Sequence, residues 1–300
     1  MTVAHDNKHR NLTFSQREGK EPVIEPVLEK LSDTFRNRLW LVMDVYLNQV
    51  LVRVEHILPR IRAENRILWA GFIRSYWMNV LELPHDGVGL PSGPDRIKDF
   101  WRKSILFDKY HVVLSLLEHF LQYDSPRWDN LKKAIKEVID EHTLYFIDDA
   151  KQPVCIMPVV SEESKKALKH SIEVLHDNEK AAAVNYFHSA AEKINESQWQ
   201  DAVRNSINAV ESVARSIAPE AKTLGEALTK LKGNELIEHP ALAKAFSSLY
   251  GYTNDRPNIR HAEVFAGGTP VERDEAIFMF GACASFAAYL TMKQKQLESN

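Results

Sequence analysis

The residues best suited to chemistry in this chain stand in one run, Leu249-Tyr250-Gly251-Tyr252-Thr253-Asn254-Asp255-Arg256-Pro257-Asn258-Ile259-Arg260-His261-Ala262. Gly251 suits the end of one helix, Asn254 or Asp255 the cap of the next, and Pro257 that helix's first turn. Arg260 and His261 are then expected within a turn or so of a helix N-terminus, where free N–H groups carry about half a positive charge. With Arg256 and Arg260, that end can bind a phosphate or stabilise a phosphorane-like transition state. Histidine is the side chain that titrates near neutrality, so His261 can move the proton. RNA brings its own nucleophile, the 2′-OH, and such a centre needs no metal. The plainer alternative is a loop in which Arg256 pairs with Asp255 or Glu263.

A polar partner for that run is expected on the helix near 200–218. There Val203, Ile207, Val210, Ala214 and Ile217 form an apolar seam, and Arg204, Asn208, Glu211 and Arg215 repeat the same spacing one residue later. Residues three and four apart share a helix face, so the four polar groups form one stripe. It is either a solvated flank with a Glu211–Arg215 pair, or the wall of a polar cleft. In the second reading Arg204, Asn208 and Asn258 contact phosphate or RNA.

A second basic feature lies near the N-terminus. From Arg36 to Arg74 there are seven Arg, no Lys and three acids. Guanidinium groups pair phosphate in a fork, so Arg36 and Arg38 are candidates for RNA or for an acidic partner, against the alternative of a solvated helix face. Among the twelve His there is no H-E-x-x-H, and the two cysteines are far apart, so neither a metal nor a cofactor is expected. Gly-rich phosphate loops and a G-x-S-x-G elbow are absent from the sequence.

The elements that must position these groups are helical. Glycine is scarce, at 11 of 300 residues, and strand-like alternation is nearly missing. Ser32 is expected to cap a long helix through Phe35, Leu39, Val42, Tyr46, Val50, Val54 and Ile57, which Pro59 closes or kinks. A second helix carries Leu68, Phe72, Tyr76 and Leu83 and ends at Pro84, before a loop over 85–95. Three more follow, on Ile97/Phe100/Trp101/Leu106, Val113/Leu116/Leu117/Phe120 and Leu131/Ile135/Val138/His142. One hairpin is expected, Leu144–Ile147 with Val154–Met157. Ser161 then opens helices near 162–177, 180–195, 200–218, 223–232, 240–250 and 270–296, with capping boxes at Thr223/Glu226 and Thr269/Glu272. The expected architecture is all-α, with an N-terminal helical domain over 1–143, a β-hairpin linker over 144–160 and a C-terminal helical domain over 161–300.

Bulk composition narrows the setting. With 44% hydrophobic and 26% charged residues and a net charge of −3, the chain has no global attraction to polyanions, so any such site is a local patch. Cys155 and Cys283 in apolar surroundings read as buried thiols of a reducing compartment. No apolar leader precedes Lys20, so the cytoplasm is the expected location. The uncharged stretch Ala276–Met292 is shorter than a bilayer requires and reads as a helix buried in a bundle, with no membrane partner.

Across roughly 144–292 the chain resembles the HEPN-like C-terminal domain of AbiJ-type abortive-infection proteins. The residues that carry the resemblance are Arg204-Asn205-Ser206-Ile207-Asn208-Ala209-Val210-Glu211-Ser212, Lys222-Thr223-Leu224-Gly225 and the run from Leu249 to Ala262. Phe14-Ser15-Gln16-Arg17-Glu18-Gly19 and Arg36-Asn37-Arg38-Leu39-Trp40 resemble the N-terminal domain that accompanies it, and 60–143 match loosely. The resemblance implies a bacterial antiphage effector with a HEPN-like helical bundle, a form often dimeric. It also implies a metal-independent endoribonuclease whose signature is an Arg, four to six residues and a His. Arg256 and His261 fit that spacing. The relatives have Gly where Asn258 stands and need no Arg at 256, so Arg260, His261 and Glu211 carry over most directly. The expected partners are RNA, a second copy of the chain, and a phage-derived trigger or a cognate regulator. Two readings from other classes stand beside this one: a non-catalytic module that binds nucleotide or RNA, and a buried polar lock of Glu211, Arg260 and His261.

Overall fold

The computed structural model describes residues 30–52, 59–82, 93–150, 153–233, 236–237, 239–255 and 271–298. Within them lie eleven α-helices and one two-stranded antiparallel hairpin, so the chain is all-α apart from that hairpin. Helix α1 (Asp33–Leu47) starts where the Ser32 hydroxyl accepts the Phe35 N–H at 3.1 Å. Its buried residues, Phe35, Leu39, Met43 and Leu47, step by four. On a 3.6-residue helix that stripe drifts by roughly 40° per step. A wider π turn over Asn48–Val52 follows, and Leu51 is buried within it.

Val54 and Ile57, expected further along this helix, lie outside the described residues, and α2 (Pro59–Asn79) has Pro59 as its first described residue, a position where a missing N–H costs nothing. Helices α3 (Pro94–Phe107) and α4 (Tyr110–Gln122), a short 3₁₀ turn (Pro126–Trp128) and α5 (Asp129–His142) complete the N-terminal half. Its centre is aromatic: Trp69 stacks on Trp128 at 4.3 Å, Phe72 on Trp101 at 5.4 Å, and Phe120 packs edge-on against Phe72 and Trp101. Such pairs add about 0.5–1.5 kcal/mol each beyond the area they bury.

The hairpin pairs β1 (Tyr145–Asp148) with β2 (Cys155–Pro158), placing Asp148 opposite Cys155. Both strands lie one residue later than the sequence pattern predicts. Leu144 is still held, outside the strand, by the Val159 N–H at 3.0 Å. The hairpin lies between the two halves: β1 touches α5 and α6 (Glu162–Asp177), while β2 touches α4 and α7 (Ala181–Asn195). Lys165 of α6 adds a tie, its buried ammonium donating to the Asp140 and Thr143 carbonyls at the C-terminal end of α5.

Helices α8 (Trp199–Ile217), α9 (Leu224–Gly233), α10 (Pro240–Asp255) and α11 (Arg273–Glu298) complete the C-terminal half. Among the described residues α11 alone is long and apolar enough to cross a membrane. It instead packs on α6, α7 and α8, burying Phe280, Ala284, Ala287 and Leu290. Two expected boundaries shift here. Helix α10 runs through Gly251 to Asp255, since a helical glycine costs only about 1 kcal/mol. Helix α11 begins three residues late, where the Glu275 carboxylate reaches back to the Glu272 N–H; Thr269 and Pro270 lie outside the described residues.

The stops of α6 and α7 are built without glycine. Glu179 (φ 57°) and Ser197 (φ 60°) occupy the left-handed position after α6 and α7. Each closes a Schellman pair, Lys180 N–H to Leu175 O at 2.9 Å and Gln198 N–H to Lys193 O at 2.8 Å. Glycine pays no Cβ penalty there, so Glu179→Gly is expected to raise stability by about 0.5–1 kcal/mol, read as a higher unfolding midpoint.

Candidate functional site

The polar stripe forms as the spacing predicts. Val203, Ile207, Val210 and Ala214 of α8 are buried, Arg204, Asn208 and Glu211 are half-buried, and Arg215 is exposed. Glu211 keeps 21% of its side chain accessible and lies 3.5 Å from the Arg215 guanidinium. Arg204 pairs with Asp201 one turn earlier. The stripe's C-terminal end abuts the start of α9, where Arg215 Nε donates to the Ala221 carbonyl at 3.2 Å. Thr223 caps that helix, accepting the Glu226 N–H, while the Glu226 carboxylate accepts the Lys222 N–H at 2.8 Å.

The C-terminal part of α10 converges on the same corner. A methyl group at Gly225 would sit 3.7 Å from the Tyr250 ring, so α10 crosses the first turn of α9 little more than a turn before Asp255. Arg256, Asn258, Arg260 and His261 lie outside the described residues. The described residues stop at the end of α10, Asp255, and resume at Val271 ahead of α11, which packs along α8.

Arg36 and Arg38 lie on different faces of α1. Two residues apart on α1, they project roughly 200° apart. The Arg36 guanidinium donates to the Ile105 and Asp108 carbonyls at 2.5 and 2.8 Å, closing the end of α3. Burial lowers its pKa, against the pull of Asp33 and Asp108. Arg38 is exposed, and its charge acts on His142.

A second polar cluster sits on the hairpin. Asp148, 3% exposed, receives His188 Nε2 at 2.8 Å and His176 Nε2 at 2.9 Å on the same carboxylate oxygen. Burial alone would raise its pKa, but the hydrogen bonds from His188 and His176 outweigh burial and hold it below the usual range. On the neighbouring strand the Ile156 N–H donates to Glu118 of α4 at 2.7 Å, the Ile156 carbonyl accepts from Asn195 of α7, and Gln122 of α4 donates to the Val154 carbonyl. Burial pushes the Glu118 carboxyl up to about 7, with Glu192 adding to the rise.

Cys155 lies inside this cluster, its thiol facing the His188 carbonyl at 3.9 Å. Burial, then the carboxylates of Glu118, Asp148 and Glu192, push the thiol well above its ordinary value, which disqualifies it as a thiolate nucleophile. No group of three His, Cys, Asp or Glu among the described residues is arranged to hold a metal ion; here both imidazole nitrogens point at one carboxylate oxygen. His176 and His188 each stand next to a core position, Leu175 and Phe187, on the apolar seams of α6 and α7.

A groove of about 530 Å³ between α10 and α11 is lined by Ala245, Ser248, Leu249, Glu275, Phe278 and Met279. Its one carboxylate is spent on capping α11, so it lacks converging polar groups. No family model, curated protein or solved structure matches the chain.

Proposed function

We propose that the chain is a bacterial abortive-infection effector of the cytoplasm whose C-terminal helices carry a metal-independent, HEPN-type endoribonuclease centre. His261 acts as general acid or base, Arg260 and Arg256 neutralise phosphate charge, and Glu211 orients the imidazole or pairs with Arg260. The observation that supports this reading is the meeting of α8, α9 and α10: Arg215, paired with the half-accessible Glu211, bonds the Ala221 carbonyl ahead of α9, and Tyr250 late in α10 lies against Gly225 in the first turn of α9. Arg204 and Asn208, further along the same stripe, extend a polar track that suits a phosphodiester backbone.

The N-terminal half, tied to this bundle through the hairpin, would sense infection or restrain the nuclease. The test is incubation of purified protein with total RNA in excess EDTA. Cleavage is the expected result. Intact RNA bound in a complex that salt dissolves would replace the nuclease with a non-catalytic RNA-binding module.

A further inference from the structure

Helix α2 carries apolar side chains on both of its faces. Trp69, Phe72, Ile73 and Tyr76 fill the N-terminal core, while the opposite face leaves Ile67 73% and Met78 46% exposed. One bare isoleucine is ordinary on a protein surface, but these two stand in a pattern. Arg60, Glu64, Ile67, Gly71, Arg74 and Met78 follow one another at steps of four, three, four, three and four residues. That is the spacing of a seam against which a second helix lies. Arg60, Ile67, Arg74 and Met78 are exposed along it, and Glu64 and Gly71 are half-buried.

The seam is its own complement when reversed. Laid antiparallel over a second α2, with a twofold axis at the level of Trp69, it sets Ile67 over Gly71, Glu64 over Arg74 and Arg60 over Met78, each contact made twice. Gly71 leaves room for the bulky partner: a methyl group built there meets the Tyr123 hydroxyl at 3.5 Å and nothing closer. Glu64 holds Arg60 on one carboxylate oxygen at 3.1 Å and Arg127 on the other at 3.0 Å. Each oxygen keeps a further lone pair for the incoming Arg74, which has no ion-pair partner among the described residues. The aliphatic stem of Arg60 covers Met78. Parallel helices would instead set Arg60 on Arg60, Glu64 on Glu64 and Arg74 on Arg74, and like charges exclude that arrangement.

We propose that the outer face of α2 docks a second copy of this chain, helix against antiparallel helix. RNA or anionic lipid would suit the arginines, but Glu64 stands within the seam and meets phosphate with like charge. The face belongs to the N-terminal half, whereas the dimer implied by the HEPN resemblance belongs to the C-terminal bundle. The nuclease reading can therefore fail without touching it. Helix α2, 21 residues long, spans about 30 Å, and a contact one helix wide is small for a stable interface, so the two copies are expected to separate on dilution.

The experiment is sedimentation velocity on the full chain across a dilution series starting at about 100 µM, where wild type is expected to run at twice the chain mass. Ile67→Glu changes a side chain that the core does not use, and is expected to weaken the dimer at least about tenfold by burying an unpaired charge. Charge reversal fixes the register. Arg74→Glu sets two carboxylates against each other and Glu64→Arg sets two guanidinium groups, so each variant alone is expected to be monomeric. Mixed in equal amounts, the two variants face opposite charges at both positions, and the dimer is expected to return. A monomeric wild type, a dimer indifferent to Ile67→Glu, or a mixture that does not reassociate would each overturn the proposal. Should Glu64→Arg fail to fold, Met78→Arg decides instead, since it sets a cation over Arg60: loss of the dimer supports this register, and an unchanged dimer overturns it.

Discussion

Replacing His261 by alanine is expected to lower RNA cleavage by at least about 100-fold while leaving the unfolding transition where it was. Proton transfer by a positioned side chain contributes about 10²–10⁴ in rate, and the 2′-OH of RNA leaves proton transfer and charge stabilisation as the protein's main tasks. Arg260→Lys is informative beside it. Lysine keeps the charge but loses the planar fork, so activity falls if two phosphate oxygens are gripped at once and survives if only charge matters. Glu211→Gln separates positioning from catalysis. A carboxylate that orients the imidazole changes the pH profile of cleavage when neutralised, whereas a carboxylate that merely pairs with Arg215 on a half-exposed flank leaves it unmoved. Should wild type cut nothing, and His261→Ala instead lose about 1–3 kcal/mol of stability, the cluster is a buried polar lock.

The parts of the fold that were legible were those written in short-range chemistry. Ser32, Ser161 and Thr223 each cap the helix they were expected to cap, because an N-cap is one side chain over an N–H three residues on. The seams of α3 to α8 were equally plain, being three- and four-residue repeats of apolar side chains. Helix stops were harder. Gly251 invited one and α10 passed through it, while Glu179 and Ser197 made two of the actual turns without being glycine. In both the backbone was set by closing hydrogen bonds that no residue type announces. Pro59 is ambiguous for a related reason, since proline suits a helix start as well as it ends one.

The candidate site divides along the same line. The α8 stripe was readable from spacing alone, and so was its split into an apolar seam and a polar flank. The hairpin cluster was not. Asp148, His176 and His188 come from three elements, and nothing in the linear chain marks that they converge. Arg36 has partners that the sequence did not announce. An arginine-rich stretch suggested a phosphate-facing surface, yet its guanidinium went to two backbone carbonyls at the end of α3, unmet acceptors that only the packed helix reveals.

Asp148 is expected to be the costliest single polar position in the described structure. Asp148→Leu leaves two buried imidazole N–H groups without their acceptor, each costing about 1–3 kcal/mol, so a total loss of about 2–6 kcal/mol is expected in urea unfolding, read as a lower midpoint at unchanged slope. Asp148→Asn keeps the oxygen that both imidazoles share but sets its amide nitrogen where His176 Nε2 also lies 3.1 Å from the second carboxylate oxygen, a donor facing a donor, and should lose somewhat less. Adding His176→Phe and His188→Leu to Asp148→Leu should recover part of the loss, since an all-apolar cluster leaves nothing unpaired. The pH dependence has a definite sign. The carboxylate's folded pKa is held below its ordinary 3.8, so its contribution is present above that value and is lost as pH falls through the folded one, opposite in direction to Glu118. Two carboxylates one strand apart thus pull stability in opposite senses with pH. A wild-type curve that rises on acidification from about pH 8, and then collapses below about pH 4, is the joint signature of both. If Asp148→Leu costs under about 1 kcal/mol, the imidazoles have found water, and the hairpin is held to α6 and α7 by its apolar face alone.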